Sequence, residues 1–174
     1  LTVFLVWLGA VTTIAMSQSC SRDCTVIGCP PGAVLHYDLT ANVEQLRASQ
    51  ITICHNRECL SRSLSGLSDP SEGIGVGVVL PADLTTVDQT MSPHANAIFW
   101  LNTGGKLSVS VDWVPWSVVD LKAGDVYRVE ITGAGGEALL RLTETADRYV
   151  ETYPNGKDCD NNPCRSVVFD RRAP

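Results

Sequence analysis

The first nineteen residues carry no Asp, Glu, Lys or Arg, so all thirteen basic and nineteen acidic residues of this 174-residue chain lie beyond them. Leu1 to Ala15 is a nearly continuous apolar run, followed by Met16-Ser17-Gln18-Ser19. Such a run is short for a bilayer-spanning helix, which needs about 20 residues. Ala15-Met16-Ser17 has the small-x-small pattern that precedes signal-peptide cleavage. A basic leading segment, usual in signal peptides, is missing. The expected organisation is a signal peptide over 1–17, a Cys-rich lead-in over 18–32 and one β domain over 33–174.

Other absences narrow the function. No cluster of Lys or Arg is present apart from the pair Arg171-Arg172, and the net charge is −6. A protein whose task is to bind a phosphate backbone needs a concentrated basic surface, so nucleic acid is excluded as a main partner. The three histidines, His36, His55 and His94, are scattered and fall in no metal-ligand spacing. There is no Gly-x-Ser-x-Gly elbow and no phosphate-binding glycine loop. The sequence therefore names no catalytic residue and calls for no cofactor. It also has no long amphipathic helical pattern.

What it does have is cysteine. Six of the seven cysteines form three Cys-x4-Cys pairs: Cys24 and Cys29, Cys54 and Cys59, Cys159 and Cys164. In an exported chain these read as disulfides. A zinc site is the alternative, since the spacing falls within the range of ligand spacings. Pairing inside each short loop is the simplest expectation, although six cysteines allow about fifteen connectivities. Two runs with β character flank His55-Asn56-Arg57-Glu58. Antiparallel pairing of those runs would put Cys54 opposite Cys59, within disulfide range. Cys20 is left over. It is a candidate for lipid modification and so for membrane attachment, a partner for Cys24, or a free or intermolecular thiol. Ser17-Gln18-Ser19 before it departs from the usual lipobox.

Period-two alternation recurs along the chain. Leu107, Val109, Val111 and Trp113 alternate with polar residues, as do Tyr127, Val129 and Ile131. Ile74, Val76, Val78 and Leu80 oppose a face of glycines, which a bulky neighbour or a flat recognition surface would explain. Asn102-Thr103-Gly104-Gly105 and Gly133-Ala134-Gly135-Gly136 supply turn chemistry. Val43 to Ala48 has the composition of a single helical turn. Nine or ten strands with regular turn signals specify an all-β fold, a two-sheet antiparallel β-sandwich of immunoglobulin-like architecture. The immunoglobulin Cys…Trp…Cys signature is absent, so only the architecture is expected.

The candidate binding residues are aromatic. Trp116, following Pro115, is expected to be exposed, and Tyr149 and Tyr153 complete a possible platform for a sugar or protein ligand. Trp100 and Trp113 lie in strongly apolar strands and are expected in the core. His55 is expected to be an exposed loop residue. Asp158, Asp160 and Asn161 gather oxygen atoms in one loop and are candidate calcium ligands, although loops use Asp and Asn freely.

Taken together, Cys24-x4-Cys29, Cys54-His55-Asn56-x-x-Cys59 and Pro154-Asn155-Gly156 leading into Cys159-x4-Cys164 resemble uncharacterised exported bacterial β-sandwich proteins, several of them lipoprotein-like. The resemblance implies compartment and fold and carries no catalytic residue. The expected function is a non-enzymatic secreted or cell-envelope binding or structural module. A carbohydrate-binding module or carbohydrate-active enzyme, and a calcium-dependent adhesin-like domain, are the alternatives.

Intact mass of the protein from its native host, before and after reduction and alkylation, tests the leading segment. A chain starting at Cys20 with a diacyl- or triacyl-sized addition is the outcome for a lipoprotein. An unlipidated chain starting near Gln18 is the outcome for a soluble exported protein. Retention of residues 1–17 would remove the signal-peptide reading.

Overall fold

The computed structural model describes residues 28–80, 93–115, 120–160 and 162–172. The expected signal peptide, Cys20, Cys24, Trp116 and Asn161 fall outside them. In chain order the elements are β1 (Ala33–Asp38), α1 (Val43–Arg47), β2 (Gln50–His55), β3 (Glu58–Ser63), β4 (Val76–Leu80), β5 (His94–Leu101), β6 (Leu107–Val114), β7 (Val126–Thr132), β8 (Ala138–Thr145), β9 (Val150–Thr152) and β10 (Cys164–Asp170). Six strands form one sheet in the order β4-β5-β6-β1-β10-β9, and four form the other in the order β3-β2-β7-β8. The all-β two-sheet sandwich is thus the fold. Among the described residues its named strands pair antiparallel except β1 and β10, which run parallel.

Alternation makes the core. Leu35 and Tyr37 of β1, Phe99 of β5, and Val109, Val111 and Trp113 of β6 point inward from the large sheet. Ile51 and Ile53 of β2 and Tyr127, Val129 and Ile131 of β7 meet them from the small one. Branched and aromatic side chains suit a pleated surface, and removing them from water is the main favourable term. The helix α1 is a single capped turn. Asn42 Oδ1 accepts from the Gln45 N–H at 2.9 Å, and Gln45 Oε1 accepts from the Asn42 N–H at 2.9 Å. That cap seats Leu46 in the core.

Two side-chain bridges tie the sheets at their margins. Tyr37 of β1 donates to Glu144 of β8 at 2.9 Å, and Arg171, just past β10, grips the same carboxylate at 3.0 and 3.2 Å. Arg62 of β3 donates to the Val79 carbonyl of β4 at 2.7 Å.

Two of the expected cysteine pairings are corrected. Cys54 does pair with Cys59, directly opposite it in the β2–β3 ladder with Cα atoms 4.0 Å apart. Cys29, however, pairs with Cys164, 135 residues away, with Cα atoms 5.3 Å apart. Cys29 therefore does not close a loop with Cys24, nor Cys164 with Cys159. Cys159 is itself disulfide-bonded. The cause is the parallel pairing of β1 and β10, which sets Ala33 beside Val167 and so brings the segment before β1 to the first residue of β10.

The glycine face beside β4 is not covered by an aromatic: Gly75 and Gly77 are exposed, and the side chain that comes close is Ile98. A Cβ at Gly75 would lie 2.5 Å from the Ile98 side chain of β5. Ile74 is 66% exposed and does not share the inward face of Val76, Val78 and Leu80.

Val111 is fully buried, and Val111→Ala is expected to lower stability by about 2 kcal/mol or more in denaturant melts. Cysteine removal is expected to rank with loop length. By the chain-entropy argument Cys164→Ser loses about 5 kcal/mol and Cys59→Ser about 2 kcal/mol. Equal losses would show that the long-range bond does not hold the two ends of the domain together.

Candidate ligand-binding groove

The outward residues of the large sheet build a groove. Its level is set by register: Trp100 of β5 stands opposite Ser108 of β6, and Ser108 stands opposite Asp38 of β1. One pair along, Asp170 of β10 stands opposite His36 of β1. The β5–β6 turn closes one end. Asn102 Oδ1 accepts from the N–H groups of Gly104 and Lys106, both at 3.0 Å, and Gly105 takes the left-handed conformation (φ +70°) that the turn needs. The result is an open groove of about 680 Å³ lined by these residues, His36 and Gly105 excepted, together with Thr103 and Arg172. That volume is in the range of small-molecule sites, roughly 300–1,000 Å³.

Trp100 is the correction that matters most. It is partly exposed and lines the groove, where a core position was expected. Ala95, Ala97 and Phe99 take the inward phase of β5, which turns Asn96, Ile98 and Trp100 outward. That phase was readable from the two alanines, but the apolar run Ala97 to Leu101 hides it. Trp113 is fully buried, as expected.

The charges in the groove are held in pairs. Asp38, whose side chain is 11% exposed, accepts from Ser108 Oγ at 2.7 Å and from Lys106 Nζ at 3.1 Å. Arg172 donates from Nε to Asp170 Oδ1 at 2.9 Å and from Nη2 to Oδ2. The Arg172 hydrogen bonds hold the Asp170 carboxyl well below the usual carboxylate range. Two carboxylates and two cations line the groove, so their formal charges cancel. A glycosidase needs a carboxylic acid kept protonated by a raised pKa. Asp170 is tuned the opposite way, which suits the ionised member of such a pair and not its acid. Burial does push Asp112 up, against the pull of His36 and a hydrogen bond from Ser110. But Asp112 stands opposite Asn96, farther along the face, and does not line the groove.

A second polar cluster forms at the β2–β3 turn, and it corrects the expectation for His55. That ring is largely buried, stacked on Tyr127 with centroids 4.9 Å apart and lying 5.7 Å from the Trp113 ring. His55 Nε2 lies 3.2 Å from Asp125 Oδ2. Asn56 adopts φ 54° and reproduces a backbone pair with Val126: its N–H donates to the Val126 carbonyl at 2.7 Å, and its Oδ1 accepts from the Val126 N–H at 2.9 Å. Asp125, 1% exposed, also accepts from Asn56 Nδ2 at 3.0 Å, from the Lys122 N–H at 3.0 Å and from Tyr149 OH at 2.9 Å. Burial raises its pKa, but those hydrogen bonds outweigh burial and leave it below the ordinary value. Burial pushes the Tyr127 hydroxyl, 2.6 Å from that of Tyr149, up to about 12. The cluster fastens the turn to the start of β7.

The remaining expected site residues do not converge. Tyr149 borders a cleft of about 340 Å³, but its hydroxyl is committed to Asp125. Tyr153 is half-buried, with the Lys157 ammonium 5.3 Å from its ring centroid. Asp160 accepts from the backbone N–H and side-chain amide of Asn155 at 3.0 and 2.8 Å, fastening the turn before it. Among the described residues no three His, Cys, Asp or Glu side chains are grouped to hold a metal ion. Trp116 and Asn161 lie outside the described residues.

Asp125 and Glu144 both titrate below their ordinary values. In Glu144 the Arg171 hydrogen bond is the largest cause, opposed by burial and helped by Tyr37. A depressed carboxylate stabilises the fold above its unfolded pKa, roughly 3.9 for Asp and 4.3 for Glu, and that contribution fades as pH falls through the lower folded value. Thermal melts from neutral to acid pH are therefore expected to show stability falling below about pH 4. Asp125→Asn is expected to lower stability at neutral pH by about 1–3 kcal/mol and to flatten the acid limb. No family model, curated protein or solved structure matches the chain.

Proposed function

We propose that this chain is a non-enzymatic β-sandwich module of the secreted or cell-envelope compartment, and that it recognises its ligand in the Trp100 groove. The observation that carries the reading is the groove itself. A partly exposed indole stands beside polar side chains already fixed by one another, so the site is ordered before anything binds. Preorganisation of this kind reduces the entropy lost on binding. Disulfide bonds are typical of an oxidising environment, which supports export. Among the described residues no helix is long and apolar enough to cross a membrane.

A thermal-shift screen of the full chain against metabolites, peptides and glycans tests the reading. A ligand at about 100 times its Kd adds about 2.7 kcal/mol, which raises Tm by roughly 5–10 °C in a domain of this size. At least one compound is expected to do so, and Trp100→Ala is expected to abolish the shift. A shift that survives both Trp100→Ala and Ser108→Phe would place the site elsewhere.

A further inference from the structure

We infer that the groove takes a neutral, polyhydroxylated ring, that is, an uncharged saccharide; this deepens the ligand-binding reading and rests on it. Three observations converge on that chemistry. The first is charge. Lys106 and Arg172 are each paired to a groove carboxylate, Asp38 and Asp170 respectively. With each cation's charge balanced by its carboxylate, neither an anionic nor a cationic ligand gains from net charge in the groove. A neutral ligand leaves both pairs intact.

The second is the arrangement of hydrogen-bonding groups. Each paired carboxylate retains acceptor capacity, because a carboxylate oxygen has two lone pairs. Lys106 has three donors and Arg172 five, more than their carboxylate contacts use. Donors and acceptors therefore stand side by side in the groove, Lys106 with Asp38 and Arg172 with Asp170. A ring bearing several hydroxyls, each both donor and acceptor, can meet such a mixed set. A ligand rich in one kind of group cannot.

The third is Trp100. It is the one aromatic side chain lining the groove among the described residues, at the same level as Ser108 and Asp38. A pyranose has an apolar C–H face and a polar rim. An indole surface next to fixed polar groups is the complement of that amphipathic shape. The occupants that compete with a sugar fit less well. A hydrophobic peptide would desolvate two ion pairs, and an isolated phosphate would find no unpaired cation in the groove.

The test uses the full chain on a panel of neutral oligosaccharides (glucans, galactans, mannans and chitin fragments) beside acidic uronate oligomers, followed by calorimetric titration of the best binder. At least one neutral oligosaccharide is expected to bind with a Kd between about 1 µM and 1 mM. Raising ionic strength from about 0.05 to about 0.5 M is expected to leave that Kd within about twofold, since no net charge is recruited. Trp100→Ala is expected to weaken binding by about tenfold or more, equivalent to about 1.4 kcal/mol. Trp100→Tyr, which keeps a ring and guards against a folding defect, is expected to retain most of it. Binding confined to acidic oligomers and weakened by salt would overturn the inference. So would neutral binding indifferent to both Trp100 variants. If no oligosaccharide binds while the wider compound screen still finds a Trp100-dependent stabiliser, the saccharide inference falls and the ligand-binding reading stands. If neither is found, both fall.

Discussion

The position of β1 between β6 and β10 is the constraint on which the rest of this structure depends. An antiparallel ladder on one side and a parallel one on the other fix β1 to a single register. That register places Asp38 beside Ser108 and His36 beside Asp170, and so joins the β5–β6 hairpin to β1 and β10, far apart in sequence, in one groove. It also turns Tyr37 inward, where the hydroxyl reaches Glu144 of the opposite sheet. A slip of one residue would exchange the two faces of β1, burying His36 and Asp38 and exposing Leu35 and Tyr37.

Polar contacts and apolar burial divide the work of holding this register. Exposed ion pairs such as Glu130–Arg141 are worth little individually. Most of the stabilisation comes from the buried alternating residues of β1, β2, β5, β6 and β7. The polar bridges act at the margins, where they decide which strand lies beside which. Asp125 is the exception in depth: it is almost wholly buried and remains ionised because four donors converge on its carboxylate. Leaving such a group without partners would be far more damaging than losing a surface pair.

The parts of this fold that were legible in the sequence are those that depend on near neighbours. Leu107 to Trp113 alternates cleanly in sequence because a strand with one polar face must do so, and its burial follows that pattern except at Ser108, which is buried. Cys54 and Cys59 were readable as a pair because a hairpin brings them together unaided. Cys29 and Cys164 were not, since only the parallel β1–β10 pairing unites them, and no local signal encodes a parallel neighbour. His55 misled for a similar reason. A polar residue next to a turn usually faces water, but here the turn folds against Asp125, seventy residues farther along. Trp100 was obscured by its own neighbours, because five consecutive apolar residues give no phase. The groove thus stayed hidden even though each of its residues was in plain view.

The same β1–β10 pairing has a consequence for how the chain reaches this state. The strand that completes the large sheet is the last of the ten, and the disulfide beside it spans 135 residues. Neighbouring hairpins such as β2–β3 and β7–β8 can form by closing short loops, but β1 cannot acquire its parallel partner until residues near the end of the chain arrive. Closure over so long a span is entropically demanding and slow. Once β6 has paired with β1, a nascent chain emerging in order would keep the other side of β1 open until β10 is made. Such an edge is a template for unwanted pairing. The architecture therefore favours cells that keep this chain extended, or shielded, until its final strand is available.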